Sequence, residues 1–340
     1  MRVLIASAFE TNNDYIKMLV TALRSFCEVV TEVDVFWKRE QQFDIIHIQW
    51  PEELFYWKSF SIDNLMDLKE TLNFWKNSGS KIVATRHNIL PNNSNSHNVG
   101  LYDYIYKSVD AVVHLGKYSS THLNNPNRSA IIEHPNYSPL LLLKNVSSAD
   151  IPNKSKGKLF LSFGSIRYKE EEKLLIAAFL KVKTKDDILL VTDSFFIRQN
   201  YRGGLNLFFN LYKKIRVKCL KKQNVILQSK RISNEDLFDY FHSSDVIISP
   251  RQKQLNSGVI YLALTYNKVI VSSNYGNIGE ALQKYNMPSY EPGSLNSLAN
   301  SLLIAKSTKP FTIDAYNFFL EQTAPMTIAK KHYELYSSLF

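Results

Sequence analysis

Cysteine is nearly absent: Cys27 and Cys219 are the only two in 340 residues. They stand far apart with no CxxC spacing, which excludes a disulfide framework and a thiolate metal site. Both lie in apolar or mixed helical patterns and are expected to be reduced structural thiols. No window approaches the roughly 18 uninterrupted apolar residues that a membrane-spanning helix needs. The opening stretch, MRVLIASAFETNND, has one basic residue and a short apolar run that turns polar. It reads as a first strand instead of a signal peptide, so a cytoplasmic location is expected. The glycine fingerprints GxGxxG and GxxxxGK[ST] are missing, which leaves a dinucleotide fingerprint and a P-loop unsupported. No cluster of His, Asp and Glu has metal-ligand spacing, and Asp186-Asp187 precedes a strand instead of ending one, so no essential metal is expected. No short-period repeat is visible, which excludes a solenoid.

What is present is basic charge. Lys and Arg number 41 against 31 Asp and Glu, a net +10 that favours an anionic partner such as a nucleotide, a nucleic acid or an anionic bilayer surface. Much of it sits in KKIRVKCLKK (213–222), with Arg198, Arg202, Lys230 and Arg231 close in sequence; the alternative is an ordinary solvated helix face. With 45% hydrophobic and 21% charged residues the chain is globular, and its length suggests two domains.

Short apolar runs alternate with helical patterns. In the first half, strands are expected at 2–8, 44–50, 81–88, 111–116 and 130–136, with helices at 14–26, 61–79 and 99–109. The 61–79 helix has Ser and Asp at its start and Gly79 as a stop. A polar stretch, KNVSSADIPNKSKGK (144–158), is the best boundary, and the alternation then restarts. Strands at 159–164, 187–193, 224–229, 245–250 and 268–273 alternate with helices at 170–183, near 205–222 and at 234–244. Strands separated by helices imply parallel pairing in doubly wound α/β sheets.

Ligands of open parallel sheets bind at the carboxyl ends of strands, where glycine lets the backbone approach and helix N-termini present N–H groups. In the second half that rule selects FGSIRYK (163–169), DSFF (193–196) and SPRQKQLNSG (249–258). LFLSFGSIRYKEEEKLLIAAF (159–179), followed by DVIISPRQKQLNSGVIYLALTYNKVIVSSNYGNIGE (245–280), resembles the nucleotide-binding domain of GT-B glycosyltransferases, close to glycosyltransferase family 4. In the first half DIIHIQWPE (44–52), TRHNILPN (85–92), DAVVHLGKYSSTHL (110–123) and IIEHPNY (131–137) look like the N-terminal domain of bacterial surface-polysaccharide sugar transferases.

That resemblance covers nearly the whole chain and implies two Rossmann-like doubly wound parallel-sheet domains facing across a cleft. An acceptor-binding domain would span 1–145, a linker 146–158 and a nucleotide-sugar-binding domain 159–321, with a C-terminal helix about 322–340 packing back on the first. It implies transfer of a hexose from a nucleotide diphosphate sugar to a saccharide or lipid-linked saccharide acceptor, for capsule, exopolysaccharide or O-antigen. GDP-mannose is put slightly ahead of a UDP-hexose, and no other cofactor is implied. The donor pyrophosphate would meet Gly164, Ser165, Arg167, Lys169, Ser257 and Gly258. Fixed cations there stabilise the leaving diphosphate more as the glycosidic bond breaks than before.

Departures from the family pattern bear on the sugar side. Gln254 and Leu262 stand where an E-x7-E pair is usual, Glu170 replaces a glycine after Lys169, and Asn267-Lys268-Val269 replaces Gly-x-Pro. Gln254 and Asn256 remain candidates for the donor sugar or ribose. Glu280 matches the later family glutamate and is a ribose candidate, or else a first-turn helix acid favoured by the macrodipole.

For the acceptor hydroxyl, the catalytic candidates are His87 and Glu52, both after strand ends; Glu53 and Asp14 also lie on this rim. Glu52 can instead cap the next helix, and His87 can hydrogen-bond within its own loop. Missing the Glu pair leans the reading toward inversion of the anomeric centre. His134 reads as structural, and His47 as a buried residue on an alternating strand. The aromatic segment WPEELFYWKSF (50–60) suits a bilayer interface or a lipid-linked acceptor, or else folds onto the core. With the basic helix it makes a reversible association with the inner face of the plasma membrane attractive. Two other functions compete: a degenerate GT-B protein that binds nucleotide sugar or glycan without turnover, and a basic nucleic-acid-binding protein, which lacks any recognisable motif, so no nucleic acid partner is expected.

Overall fold

The structure is a computed structural model, and it describes residues 1–9, 13–58, 61–91, 96–123, 128–142, 151–152, 156–199, 206–229 and 231–340, without the side chains of 62, 96–99, 206 and 207. Phe60, Arg202, Lys230 and linker positions 146–150 and 153–155 lie outside the described residues. The chain forms two compact units, Met1–Asn136 with Phe319–Phe340, and Tyr137–Phe318. The first division therefore falls after Asn136, whereas the sequence placed the end of the first domain at 145.

In the first unit, β1 (Arg2–Ile5), β2 (Glu28–Thr31), β3 (Ile45–Ile48), β4 (Lys81–Arg86), β5 (Ala111–His114) and β6 (Arg128–Ile131) form a parallel sheet in the order β2-β1-β3-β4-β5-β6. Its helices are α1 (Asp14–Leu23), α2 (Val33–Lys38), α3 (Ile62–Asn77), α4 (Ser96–Ser108) and α5 (Lys117–His122). Successive strand residues face opposite sides. Leu4 and Ile46 therefore join a core with Phe36, Leu72 and Trp75, while Val3, Ile5 and Ile45 join another with Ile16 and Leu19. Both faces are covered, which is why every residue of β3 and β5 is buried, His47 and His114 included. That corrects the alternating strand expected around His47. At α3, Ser61 and Asn64 form a capping box that fixes the helix start.

The second unit repeats the plan. Strands β7 (Leu159–Ser162), β8 (Ile188–Val191), β9 (Val225–Leu227), β10 (Val246–Ile248), β11 (Val269–Ser273) and β12 (Ser289–Tyr290) pair in parallel in the order β12-β11-β10-β7-β8-β9. They alternate with α6 (Lys169–Val182), α7 (Phe195–Arg198), α8 (Asn206–Lys222), α9 (Leu237–Ser243), α10 (Gly258–Thr265) and α11 (Gly276–Lys284), and are followed by α12 (Leu295–Ser307). After α13 (Ile313–Gln322), α14 (Pro325–Ser337) belongs to the first unit and packs on α1. Among the described residues no helix is long and apolar enough to cross a membrane.

Several local expectations change. The strand expected at 130–136 runs from Arg128 to Ile131 instead. His134 precedes Pro135, which disfavours continued regular structure, and the Asn136 N–H leaves the sheet to donate to the Thr323 carbonyl at 2.8 Å. Asp14 opens α1, as the helix expected from residue 14 requires. Both cysteines are free, and Cys219 is exposed on α8.

Candidate active site

Chain order reverses between β7 and β10, so the crevice at their carboxyl ends is the topological switch point of the second unit. Gly164 follows β7 at φ +94, a left-handed conformation that favours glycine, and a Cβ there would lie 3.4 Å from Val259 Cγ2. The β7 loop therefore rests against the first turn of α10. Ser257 is the N-cap of that helix, and its side chain makes no capping hydrogen bond. Gly258 opens the helix and no acid lies in its first turn, so the positive end of α10 is not offset by its own side chains.

Two guanidinium groups lie in the loops that follow β7 and β10. Arg251, just past β10, is mostly buried; burial lowers its pKa, and the positive charge of Arg167 lowers it further, partly offset by Glu171. Glu171 Oε1 pairs with Arg251 Nε at 3.5 Å, and Oε2 accepts from the backbone N–H groups of Arg167 (3.1 Å) and Tyr168 (3.3 Å). One buried carboxylate thus shapes the loop and holds one cation, while the two arginines repel each other. An anion at this point relieves that repulsion. Lys169 is exposed at the first position of α6, and Glu170 beside it is exposed too, so the residue that replaces a glycine does not fill the crevice. Ser165 donates its hydroxyl to Asp193, a residue at φ +52 whose carboxylate also pairs with Arg198 at 2.8 Å.

Next to this lies the stretch Gln254–Asn256. Gly276, at φ +63, opens α11, and a Cβ there would come within 3.0 Å of the Leu255 carbonyl oxygen. Asn277 Nδ2 donates to Asn256 Oδ1 at 2.7 Å. Gln254 and Asn256 are therefore seated on the start of α11, one turn before Glu280. Glu280 lies beyond the first turn, which contains no acid, so the macrodipole reading of this residue is corrected.

In the first unit the order reverses between β1 and β3. Glu53 spans that point: its Oε1 accepts from the Ser7 hydroxyl at 2.8 Å and from the Ala8 N–H at 3.3 Å, and burial raises its pKa. Glu52 is also buried, but its Oε2 accepts from the Tyr102 hydroxyl of α4 at 2.9 Å. His87 is buried with its ring stacked on Trp50 at 4.0 Å, and its Nε2 is 3.0 Å from Gln49 Oε1, which makes Nε2 the protonated nitrogen. Burial, then the nearby His134 and His332, push the His87 pKa well down, so the imidazole is neutral. His47 is buried and bonded to Tyr336 Oη (2.6 Å) and Thr85 Oγ1 (2.8 Å). His134 Nδ1 donates to the Pro135 carbonyl at 2.7 Å. The aromatic segment divides: Leu54 is in the core with Phe55 packed on it, while Tyr56 and Trp57 are half exposed. A cavity of about 290 Å³ lies there, lined by Trp37, Leu54, Phe55, Tyr56, Lys58, Asn64 and Asp67.

No family model matches the chain, and no curated protein sequence matches it either. Solved structures do. A sucrose-phosphate synthase from Thermosynechococcus elongatus superimposes with a TM-score of 0.70 at 13% identity, covering 100% of this chain and 98% of that one. Anabaena HepE in complex with UDP and glucose gives 0.66 at 14% identity over 99% and 100%. An Escherichia coli trehalose-6-phosphate protein bound with UDP-2-fluoro glucose gives 0.62 at 10% over 99% and 98%. The fold is GT-B.

Within this GT-B chain, the second unit brings together Gly164, Ser257 and Gly258, and sets Arg167 near Arg251. It keeps Lys169 and Glu170 on the exposed start of α6. In the first unit Glu52 and His87 have different partners, α4 for one and the Gln49–Trp50 pair for the other. Arg251, Glu171 and Gln49 were not singled out as binding or catalytic residues by sequence, whereas Glu53 was named on the acceptor rim beside Glu52. Arg251 carried a signal, a cation directly after a strand end, whereas Glu171 looked like one acid among three.

Proposed function

We propose that this GT-B protein is a glycosyltransferase that moves a hexose from a nucleotide diphosphate sugar to a hydroxyl of a saccharide or lipid-linked saccharide, in bacterial surface-polysaccharide synthesis. The observation that carries the reading is the pair Arg167 and Arg251, two repelling cations in the loops that follow β7 and β10 at the switch point. The bond from the anomeric carbon to the diphosphate breaks, a bond to the acceptor oxygen forms, and the acceptor proton passes to a base. Charge grows on the diphosphate as the bond breaks, so fixed cations and helix N–H groups favour the transition state over the ground state. Asn256, Gln254 and Glu280, grouped at α11, are the proposed ribose and sugar contacts. UDP and UDP-glucose occur in complexes of HepE, which supports trying a UDP-hexose before GDP-mannose as donor.

On the acceptor side, neutral His87 and buried Glu52 and Glu53 are the proposed proton-handling groups. Glu53 is the best placed of the carboxylates because it lies at the β1/β3 switch point, and burial raises its pKa, the direction that makes a carboxylate a stronger proton acceptor. A second reading, nucleotide-sugar binding without turnover, is favoured by Gln254 and Leu262 standing at the E-x7-E positions. Release of UDP or GDP from a panel of nucleotide sugars, with saccharide acceptors supplied, separates the two. Arg167 is exposed, so Arg167→Ala is expected to leave the unfolding midpoint unchanged and lower kcat/KM by roughly 100- to 1000-fold. Unchanged kinetics would remove the phosphate assignment.

A further inference from the structure

Helix α8 carries an exposed feature that nucleotide-sugar chemistry does not use. One face is held in the unit: Leu220 is buried, Lys213 Nζ donates to the Ile197 carbonyl at 2.8 Å, and the Arg216 guanidinium lies 5.0 Å over the Phe196 ring. Away from that face, Phe208, Leu211 and Ile215 are 75%, 58% and 55% exposed, and Tyr212, 48% exposed, borders it with its hydroxyl accepting from Arg216 at 3.0 Å. The spacing of three and four places Phe208, Leu211 and Ile215 in one stripe along the helix, and exposed Cys219 continues it. Lys214, Lys218 and Lys221 are exposed in a neighbouring row at the same spacing, with exposed Lys222 beside them. The 17 residues of α8 contain six cations and no Asp or Glu.

A solvated charged face keeps its large apolar residues inside; this one shows three of them to water beside a row of lysines. We propose that α8 is a membrane-docking helix that lies in the plane of an anionic bilayer surface, its apolar stripe in the acyl boundary and its lysines against lipid phosphates. Apolar burial and electrostatic attraction then act together, as for other interfacial basic helices. The charge pattern argues against a second copy as the occupant, because pairing α8 with itself sets six cations against six. It also argues for lipid over a neutral protein groove, because a neutral groove gives the lysine row nothing to neutralise. Docking here holds the chain at the surface where a lipid-linked acceptor would reside, but the inference rests on α8 alone and not on the transfer reaction.

Co-sedimentation of the full chain with phosphatidylcholine vesicles, with and without phosphatidylglycerol, tests it in the absence of any nucleotide. Binding is expected only with phosphatidylglycerol and should weaken as salt rises. The variant K214Q/K218Q/K221Q is expected to bind on the order of 100-fold more weakly, and F208S/L211S/I215S to lose binding, both with the thermal midpoint of the parent protein. Equal binding to neutral and anionic vesicles, binding to neither, or a triple variant that binds like the parent would overturn the proposal. A dimer in size-exclusion chromatography that F208S/L211S/I215S dissolves would assign the stripe to a second copy and overturn it too. None of these outcomes alters the turnover assay, so the two readings fail separately.

Discussion

Three consecutive glutamates at the start of α6 have three separate fates. Glu170 is exposed, Glu171 turns back to clamp the β7 loop and Arg251, and Glu172 is buried and accepts from the Ser194 hydroxyl at 3.0 Å and the Phe196 N–H at 3.3 Å. Burial raises the pKa of Glu172, with the Ser194 hydrogen bond acting against it. The sequence pattern KEEE places all three in the favourable positive end of the helix, but only two become ties between elements. Glu171→Ala is expected to destabilise the protein by about 1–3 kcal/mol, because it leaves two backbone N–H groups and a mostly buried guanidinium without that carboxylate. Turnover should fall as well, since the β7 loop loses its brace. Glu170→Ala should change neither by more than about 0.5 kcal/mol. Urea unfolding of the two variants side by side checks this; equal effects would show that the clamp is not local.

At the scale of elements, α14 completes a core it is distant from in sequence. Ile328, Ala329, Leu335 and Tyr336 join Val3, Ile5 and Leu19, and the Tyr336 hydroxyl meets His47 Nδ1 at 2.6 Å. Tyr336→Phe keeps the ring but leaves a buried imidazole nitrogen without that partner, so a loss of about 1–2 kcal/mol in chemical denaturation is expected. A variant as stable as the parent would show that the hydroxyl contributes packing only. Long amphipathic helices such as α3 and α6 were legible in sequence because their periodicity runs for several turns, and β3, β5 and β7 because a strand buried on both faces is mostly apolar, with three apolar residues of four in each. β2 and β12, of four and two residues, and the six-residue α2 and α5 were not, since so few residues carry no period. The same limit applied at the site. Gly164 and the Ser257-Gly258 helix start are local features and were readable, whereas Arg251 with Glu171, and Glu53 with Ser7, depend on tertiary pairing that sequence spacing does not encode.

Across the whole molecule the two units are expected to answer acid differently. Among the described residues, the first buries five histidines as neutral rings: burial pushes His47 and His87 well down, His114 and His134 to about 4, and His332 to about 3. Neither His332 ring nitrogen has a hydrogen-bond partner, so nothing in the fold favours its charged form. An unfolded histidine takes a proton near pH 6.5. With the folded values depressed, the unfolded state binds more protons below that pH, so the full stability of the first unit is present above about 6.5 and is lost as pH falls toward 4. The loss is roughly 1 kcal/mol per pH unit for each histidine, on the order of several kcal/mol in all between pH 7.5 and 5.5. The second unit has a lower window. Burial alone would raise the Asp187 pKa, but hydrogen bonds from Lys306, Thr184 and Lys158 outweigh it and hold the value at about 2, so that contribution fades only below about pH 4. Urea unfolding followed by circular dichroism should therefore show one transition moving to lower urea between pH 7.5 and 5.5 while a second stays in place. His332→Phe should flatten the pH dependence of the moving transition by one proton. A midpoint independent of pH over that range would mean that these histidines are not held neutral in the folded protein.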